Sequence, residues 1–184
     1  MEQTGEFDVI VVGAGIAGLY LIHKLKRIGF SIRAFESASG IGGTWHWNRY
    51  PGARCDVDSI FYSYQFDEKL QQEWEWTERY ASQPEILRYL NFVADRFDLR
   101  KHIQLNTRIR SARYREFEKK WYLESEEGNI ISATFCIMAT GCLSAANSPN
   151  FAGSCNFKGP IYHTAHWPKD PVNFSGLRVG IIGT

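Results

Sequence analysis

The sequence has 184 residues, 44% of them hydrophobic and 22% charged, and a formal net charge of +1 at pH 7. This length allows one domain with a substantial core, or one domain and the beginning of a second. The near-neutral charge gives no electrostatic case for nucleic acid or an anionic membrane as a partner. We also find no secretory signal and no run of roughly 18 apolar residues that would span a membrane.

The first 36 residues have the pattern of a strand, a turn, a helix and a second strand. Residues 7–12 form a short apolar run, typical of a parallel strand buried on both faces. A helical repeat of apolar residues begins at Ile16 and ends at Gly29, and residues 30–35 predict the second strand. Glu36 follows that strand directly, so the pattern brings an acidic side chain close to a glycine-rich turn.

The turn between the first strand and the helix predicts a dinucleotide site. Gly13 permits the tight turn, Gly15 lets the backbone approach a pyrophosphate, and Gly18 lets helix and strand pack closely. The helix N-terminus supplies amide donors for phosphate, and Glu36 supplies acceptors for ribose hydroxyls. A glycine-rich turn without a ligand is less favoured, because strand, glycines, helix and acid are all present. A second glycine cluster at residues 40–43 favours FAD over NAD by its likeness to flavoproteins.

The middle of the chain changes its periodicity twice. Residues 44–80 are weakly periodic and predict an irregular segment with short helices. A capping box, Ser82 to Glu85, precedes a core-facing helix, and alternation over residues 103–132 predicts a small antiparallel meander. A last apolar strand over 134–139 leads to Gly141, where the backbone can again run close to a cofactor.

Glycine and proline are frequent over residues 142–176, which predicts a connector, and residues 178–182 predict another buried parallel strand. The predicted fold class is α/β: a Rossmann-like FAD-binding domain with a parallel sheet, helices on both faces and an inserted antiparallel β-meander, followed by the first strand of a second dinucleotide-binding domain. The predicted boundaries are a flexible N-terminus at 1–6, the FAD-binding domain at 7–145, the connector at 146–176 and the truncated start of an NADP-binding domain at 177–184.

Taken together, the sequence resembles the Baeyer–Villiger monooxygenases, which use FAD and NADPH. Residues 13–18 match the first dinucleotide fingerprint, and GGTWHWNRYPGARCD at 42–56 resembles the GGxWxxxx[FY]PGxxxD signature of the family. FKGPIYHTAHWP at 157–168 fits the identifying FxGxxxHxxxWP motif, in which Trp167 favours this family over related flavin monooxygenases. The likeness covers nearly the whole chain and is greatest for the phenylacetone monooxygenase branch. Lys169 departs from the Asp or His that relatives often carry.

The resemblance implies a set of site residues. The aspartate close to the flavin, which orients a catalytic arginine expected beyond residue 184, corresponds to Asp56. Arg54 and Cys55 would contact NADP, and His163 and Trp167 would couple the position of the nicotinamide to domain movement. The full set of residues expected to bind cofactor is Gly13, Gly15, Ala17, Gly18, Glu36, Gly43, Thr44, Trp45, His46, Trp47, Arg54, Cys55, Asp56, Tyr62, Ile109 and Gly141.

The implied activity is NADPH- and O2-dependent insertion of oxygen next to a ketone carbonyl through a C4a-peroxyflavin, giving an ester or lactone. The substrate would be a small-molecule ketone, with no nucleic acid, membrane, metal or protein partner. Four cysteines without metal-like spacing predict reduced thiols and a cytoplasmic location. Residues 1–184 alone are expected to show no turnover. Two alternatives stay open: an N- or S-oxygenating flavin monooxygenase and a non-catalytic FAD-binding fragment.

Overall fold

The protein is described as a computed structural model over residues 5–183. The flexible segment predicted for residues 1–6 lies mostly outside this range, and Glu6 already belongs to the first strand. Within the described range we name six β-strands and four α-helices: β1 Glu6–Val12, α1 Ile16–Arg27, β2 Ile32–Phe35, α2 Thr44–Trp47, α3 Glu68–Glu73, α4 Gln83–Arg96, β3 Ile103–Gln104, β4 Ile109–Arg115, β5 Lys120–Ser125 and β6 Ile130–Met138.

The strands form one mixed sheet in the order β3-β2-β1-β6-β5-β4. Strands β3, β2, β1 and β6 are parallel neighbours, whereas β6, β5 and β4 pair antiparallel. We predicted the end of the meander and the last apolar strand as two elements, and this was wrong, because β6 is continuous. Its first residues pair with β5 and its later residues pair with β1, so one strand joins the antiparallel and parallel parts.

The two faces of the sheet have different covers. On one face Val9 and Val11 belong to the same apolar cluster as Leu19 of α1 and Leu90 of α4. On the other face Ile10 packs with apolar residues of β5 and β6. The predicted α/β fold class is confirmed, because one mostly parallel sheet combines with helices and with an antiparallel meander. Strands β5 and β4 continue the same sheet beyond β6, and their residues Leu123 and Ile109 belong to the apolar cluster around Ile10.

Helix α4 begins where the sequence predicts, but its first turn uses different chemistry. The Ser82 side chain makes no capping hydrogen bond. The Glu85 carboxylate, which is only 2% exposed, instead accepts from the backbone N–H and the hydroxyl of Thr77, both at 2.9 Å. The predicted capping box is therefore wrong, because Glu85 is turned inward to hold the segment before the helix.

The predicted strand at residues 178–182 does not form. Ile181 and Ile182 are 86% and 80% exposed, and no described residue pairs with this stretch. A strand needs a hydrogen-bonded neighbour and an apolar cover, and neither is present within residues 5–183. The assignment of residues 177–184 to a second domain stays a prediction, and Thr184 lies outside the described residues.

Candidate functional site

The turn after β1 closes tightly against the end of β6. Gly13 has a φ of +109°, and a Cβ there would lie 2.4 Å from the carbonyl oxygen of Ala139. A Cβ at Gly18 would lie 2.0 Å from the carbonyl oxygen of Gly13. Both positions therefore exclude a side chain. The Thr140 backbone nitrogen lies 3.5 Å from the Cβ position built on Gly13, whereas no atom of the described residues lies within 4 Å of a Cβ built on Gly141, so the structure does not bring Gly141 into contact with this turn.

The first turn of α1 presents free amide donors. Within the described residues, the backbone N–H groups of residues 15–18 make no hydrogen bond to a backbone acceptor, whereas Leu19 donates to Gly15 at 2.9 Å. No acidic residue lies in this first turn, so nothing there neutralises the positive end of the helix dipole. Ala17 is exposed at this end. Such a group of aligned donors suits a phosphate.

The Glu36 carboxylate is held in place by hydrogen bonds to both of its oxygens. Glu36 is 5% exposed, and its two carboxylate oxygens accept from the N–H groups of Ala14 and Ala38, both at 2.8 Å. Its backbone carbonyl accepts from Thr107 at 2.8 Å. The Oε1 atom also accepts from the Ser37 hydroxyl at 3.3 Å, whereas among the described residues Oε2 accepts only from Ala14 and keeps a lone pair for a hydroxyl donor. Ile109, two residues after Thr107, packs partly buried in the second apolar cluster close to this end of the sheet.

The second glycine cluster contacts the first. Gly42 donates its N–H to the carbonyl of Ala14 at 3.0 Å, and a Cβ on Gly43 would lie 3.0 Å from the Cα of Gly15. Helix α2, Thr44–Trp47, begins directly at this contact. Its Trp45 is 8% exposed and its Trp47 is 42% exposed. The structure therefore brings the predicted segment at residues 43–47 beside the dinucleotide turn.

His46 occupies a crowded, partly buried position. Its ring lies against Gly40, where a Cβ would be 2.9 Å from the His46 Cε1 atom. Burial lowers the pKa of His46, the positive charge of Arg49 lowers it further, Glu36 opposes this, and Lys169 adds a smaller lowering. His46 is therefore favoured in its neutral form beside Glu36.

The predicted aspartate lies near the aromatic part of this site. The ring centroids of Trp45 and Tyr62 are 5.5 Å apart, edge to face. Burial raises the pKa of Tyr62, and electrostatic interactions with Cys55 and Asp56 raise it further. Asp56 is exposed, whereas Cys55 is 3% exposed. Arg54 points to Glu78 in an ion pair of 2.9 Å.

The connector motif forms its own small cluster. The Nδ1 atom of His163 accepts from the Ala165 N–H, and its Nε2 atom lies 3.1 Å from the Asn147 carbonyl. A neutral ring protonated at Nε2 satisfies both contacts. Trp167 packs against Tyr162 and Phe174, at centroid distances of 5.5 and 6.1 Å. Within the described residues, no hydrogen bond or ring contact joins His163 or Trp167 to the glycine turns, so their predicted role stays a prediction.

Sequence reasoning missed Gln83. This side chain is 8% exposed, and its Nε2 atom donates to the Trp45 carbonyl at 2.5 Å. Its backbone N–H donates to Ala53 at 2.8 Å. Gln83 thus connects α4 to two parts of the 42–56 motif, at Trp45 and at Ala53. The sequence offered no signal for this role, because a glutamine in the first turn of a helix is ordinarily exposed.

The described residues hold no grouping of three or more His, Cys, Asp or Glu side chains that would suit a metal ion. None of the helices in residues 5–183 is both long enough and apolar enough to cross a membrane.

Comparisons with known proteins agree with this geometry. The family model described as flavin-binding monooxygenase-like matches residues 7–184. The acetone monooxygenase (methyl acetate-forming) of Gordonia sp. (strain TY-5) is 48% identical over 98% of this chain, and the phenazine N-monooxygenase PhzNO1 of Lysobacter antibioticus is 47% identical over 97%. The solved structure of an oxidized steroid monooxygenase bound to NADP superposes with a TM-score of 0.92, at 57% identity over 98% of this chain.

The chain spans about a third of these proteins: 34% of the acetone monooxygenase, 33% of the phenazine enzyme and 34% of the steroid monooxygenase chain. A structure of OTEMO in complex with FAD and NADP also matches, with a TM-score of 0.83 at 42% identity, covering 89% of this chain and 31% of that one. A mixed α/β sheet with a glycine-rich dinucleotide turn defines the class. The chain belongs to the flavin-binding monooxygenase-like family.

Proposed function

We propose that this chain is the FAD-binding portion of a Baeyer–Villiger monooxygenase, which uses NADPH and O2 to insert oxygen next to a ketone carbonyl. The family membership supports a flavin enzyme, and the acetone monooxygenase, named for forming methyl acetate, supports ketone-to-ester chemistry. The observation that carries the proposal is the joined pair of glycine turns with Glu36 fixed between them, because this arrangement suits a dinucleotide.

The chemistry of the described residues suits FAD. The free amides at residues 15–18 would hold the pyrophosphate, and Glu36 would accept from the adenosine ribose. The backbone near Ile109 would border the adenine. The α2 residues Thr44 to Trp47, together with Tyr62, would shape the path toward the flavin ring. Bound flavin supplies the hydride acceptor and the O2 chemistry, and the chain's own residues bind and orient it.

Asp56 is our candidate for the residue that pairs with and orients the catalytic arginine. Its carboxylate is exposed and is therefore available to a cation from outside the described residues. Arg54 and Cys55 are the proposed NADP contacts on the same strand-like segment. His163 and Trp167 are proposed to couple the nicotinamide position to domain movement. We also propose a cytoplasmic location, which the free state of the described cysteines supports.

An N-oxygenating activity is the second candidate. The phenazine N-monooxygenase is 47% identical to this chain and the acetone enzyme is 48% identical, so overall identity alone does not separate the two activities. Trp167 within the FxGxxxHxxxWP motif supports the Baeyer–Villiger assignment instead. The two candidates share the FAD site and differ in what the bound flavin oxidises.

Two experiments test the proposal. The first is the absorption spectrum of the purified 184-residue chain after addition and removal of excess FAD, followed by release of bound flavin on denaturation. We expect stoichiometric FAD. The second joins residues 1–184 to the remaining two-thirds of the acetone monooxygenase and follows the products from acetone and from phenazine.

Methyl acetate with NADPH consumption would support the Baeyer–Villiger assignment, and phenazine N-oxide alone would transfer the proposal to the second candidate. An Asp56→Asn chimera is the matched control, because it should keep FAD and lose ester formation. A chimera that holds no FAD would contradict the proposed function itself.

A further inference from the structure

A buried tyrosine donates a hydrogen bond to the first residue of the helix that follows the dinucleotide turn. Tyr64 is 9% exposed, and its hydroxyl donates to the backbone carbonyl of Ile16 at 2.6 Å. Ile16 is the first residue of α1. Tyr64 lies 48 positions away in sequence, in the segment between α2 and α3. Its hydroxyl therefore joins a distant part of the chain to the first turn of α1.

Tyr64 is itself held by a second tyrosine. Its backbone N–H donates to the hydroxyl of Tyr89 at 2.7 Å, and Tyr89 on α4 is 1% exposed. The Tyr89 ring is fixed by Trp74 and Trp76, with centroid distances of 5.2 and 5.0 Å. Burial raises the pKa of Tyr89 to about 12 and also raises that of Tyr64, so both phenols keep their protons at neutral pH. Two hydrogen bonds through protonated phenols therefore connect α4 to α1.

The peptide group that Tyr64 contacts carries one of the free donors. The carbonyl of Ile16 and the N–H of Ala17 belong to the same planar trans peptide and point in opposite directions. A hydrogen bond to the carbonyl therefore fixes the direction of the N–H. It also polarises that peptide, which strengthens the N–H as a donor. The Ala17 N–H makes no backbone hydrogen bond within the described residues.

We propose that Tyr64 is a positioning residue for cofactor binding: its hydroxyl orients and polarises the Ile16–Ala17 peptide so that the Ala17 N–H is held ready for a diphosphate oxygen. This inference rests on the proposed FAD site and adds to it a residue that never touches the cofactor. Tyr64 acts through the Ile16–Ala17 peptide group, and the hydrogen bond to Tyr89 holds the backbone of Tyr64 in position.

The test is a ¹H–¹⁵N spectrum of the 184-residue chain with the Ala17 amide assigned, without ligand and then with FAD. Tyr64→Phe removes only the hydroxyl. We expect an upfield shift and faster hydrogen exchange of the Ala17 amide in ligand-free Y64F, with α4 amides unchanged. FAD affinity should weaken between about threefold and tenfold, the range for one net hydrogen bond. Tyr114→Phe, at an exposed tyrosine on β4, is the matched control.

A second variant keeps the test decisive if Y64F folds poorly. Site-specific 3-fluorotyrosine at position 64 keeps the hydroxyl and makes it a stronger donor, so the Ala17 amide should shift downfield. An Ala17 amide that responds to neither variant would overturn the inference. So would an Ala17 amide that FAD leaves unmoved while FAD binds. Failure of the wild-type chain to bind FAD would instead count against the proposed function, and the ligand-free comparison would still decide the role of Tyr64.

Discussion

The backbones of Gly15 and Gly43 are in contact, because a Cβ built on Gly43 would lie 3.0 Å from the Cα of Gly15. One belongs to the turn after β1 and the other to the turn before α2. The Gly42 N–H bond to Ala14 runs alongside this contact. The two glycine motifs therefore form one rigid unit, and the position of α2 depends directly on the dinucleotide turn.

Gly43→Ala should separate the two turns. Gly43 has a φ of +54°, so alanine there costs about 1–3 kcal/mol in backbone strain, and its Cβ must also push Gly15 away. We expect a lower free energy of unfolding and at least a tenfold loss of FAD affinity, measured by denaturant titration and flavin fluorescence.

Gly52→Ala is the matched control for this change. Gly52 has a φ of +80° but no atom within 4 Å of a built Cβ, so it carries the backbone strain without the contact. Equal losses of FAD affinity in both variants would show that the Gly15–Gly43 contact is irrelevant to binding.

Glu36→Gln tests the second feature of the site. One of the N–H groups of Ala14 and Ala38 would face the new amide NH2 group and lose its acceptor, which costs about 1–3 kcal/mol for a buried donor. The free energy of unfolding of the variant should be lower than that of the wild type even without cofactor. The variant should also bind FAD more weakly than the wild type does. Thermal melts with and without FAD measure both effects. Glu126→Gln, at an exposed pair with Arg108, is the control. A variant that loses affinity but no stability would contradict the fixed role of Glu36.

The sequence predicted the parts of the fold that follow a local pattern. Strand β1, helix α1 and the start of α4 appear where apolar periodicity and glycine spacing indicate. The pairing of the two glycine clusters was not predictable, because it depends on a contact between residues 28 positions apart. Long-range packing of this kind leaves no periodic signal in a single sequence.

The same reason explains the errors. The sequence predicted the meander and the last parallel strand as separate elements because the hydrophobic pattern changes near Ser132. In the structure, β6 continues as one strand through that position. Glu85 and Gln83 matched a capping pattern, but burial directed both side chains to tertiary partners, Thr77 and Trp45. Local propensity is overridden when a buried polar group has a better partner elsewhere.

Gln83→Met should loosen α2 without unfolding α4. Methionine has similar length and no donor, so the Trp45 carbonyl loses its hydrogen bond while the backbone bond to Ala53 persists. We expect faster hydrogen exchange in the peptide covering residues 42–49 and a loss of stability of about 1 kcal/mol. Gln72→Met, at an exposed position on α3, serves as control. Unchanged exchange over 42–49 would remove Gln83 from the site.

His23 should make the stability of the chain depend on pH. Its ring is 7% exposed and stacks on Phe66 at 4.1 Å, and its Nε2 atom has no partner among the described residues. Burial lowers the pKa of His23, and Arg27 lowers it further, while Asp67 opposes this and Lys26 and Lys24 add smaller lowering effects. Folding therefore favours the neutral ring. The stabilisation is complete above the unfolded pKa near 6.5 and is lost as the pH falls below it.

His23→Phe removes this proton-binding site and keeps an aromatic ring against Phe66. The free energy of unfolding of the wild type should fall between pH 8 and pH 5, and the fall should be smaller in H23F. A residual slope is expected, because burial also lowers the pKa of His46 and His102. Urea titrations across this pH range measure the difference, with His166→Phe on the exposed connector as control. The prediction is contradicted if H23F and the wild type lose the same free energy of unfolding between pH 8 and pH 5. In that case the folded state does not oppose the protonation of His23.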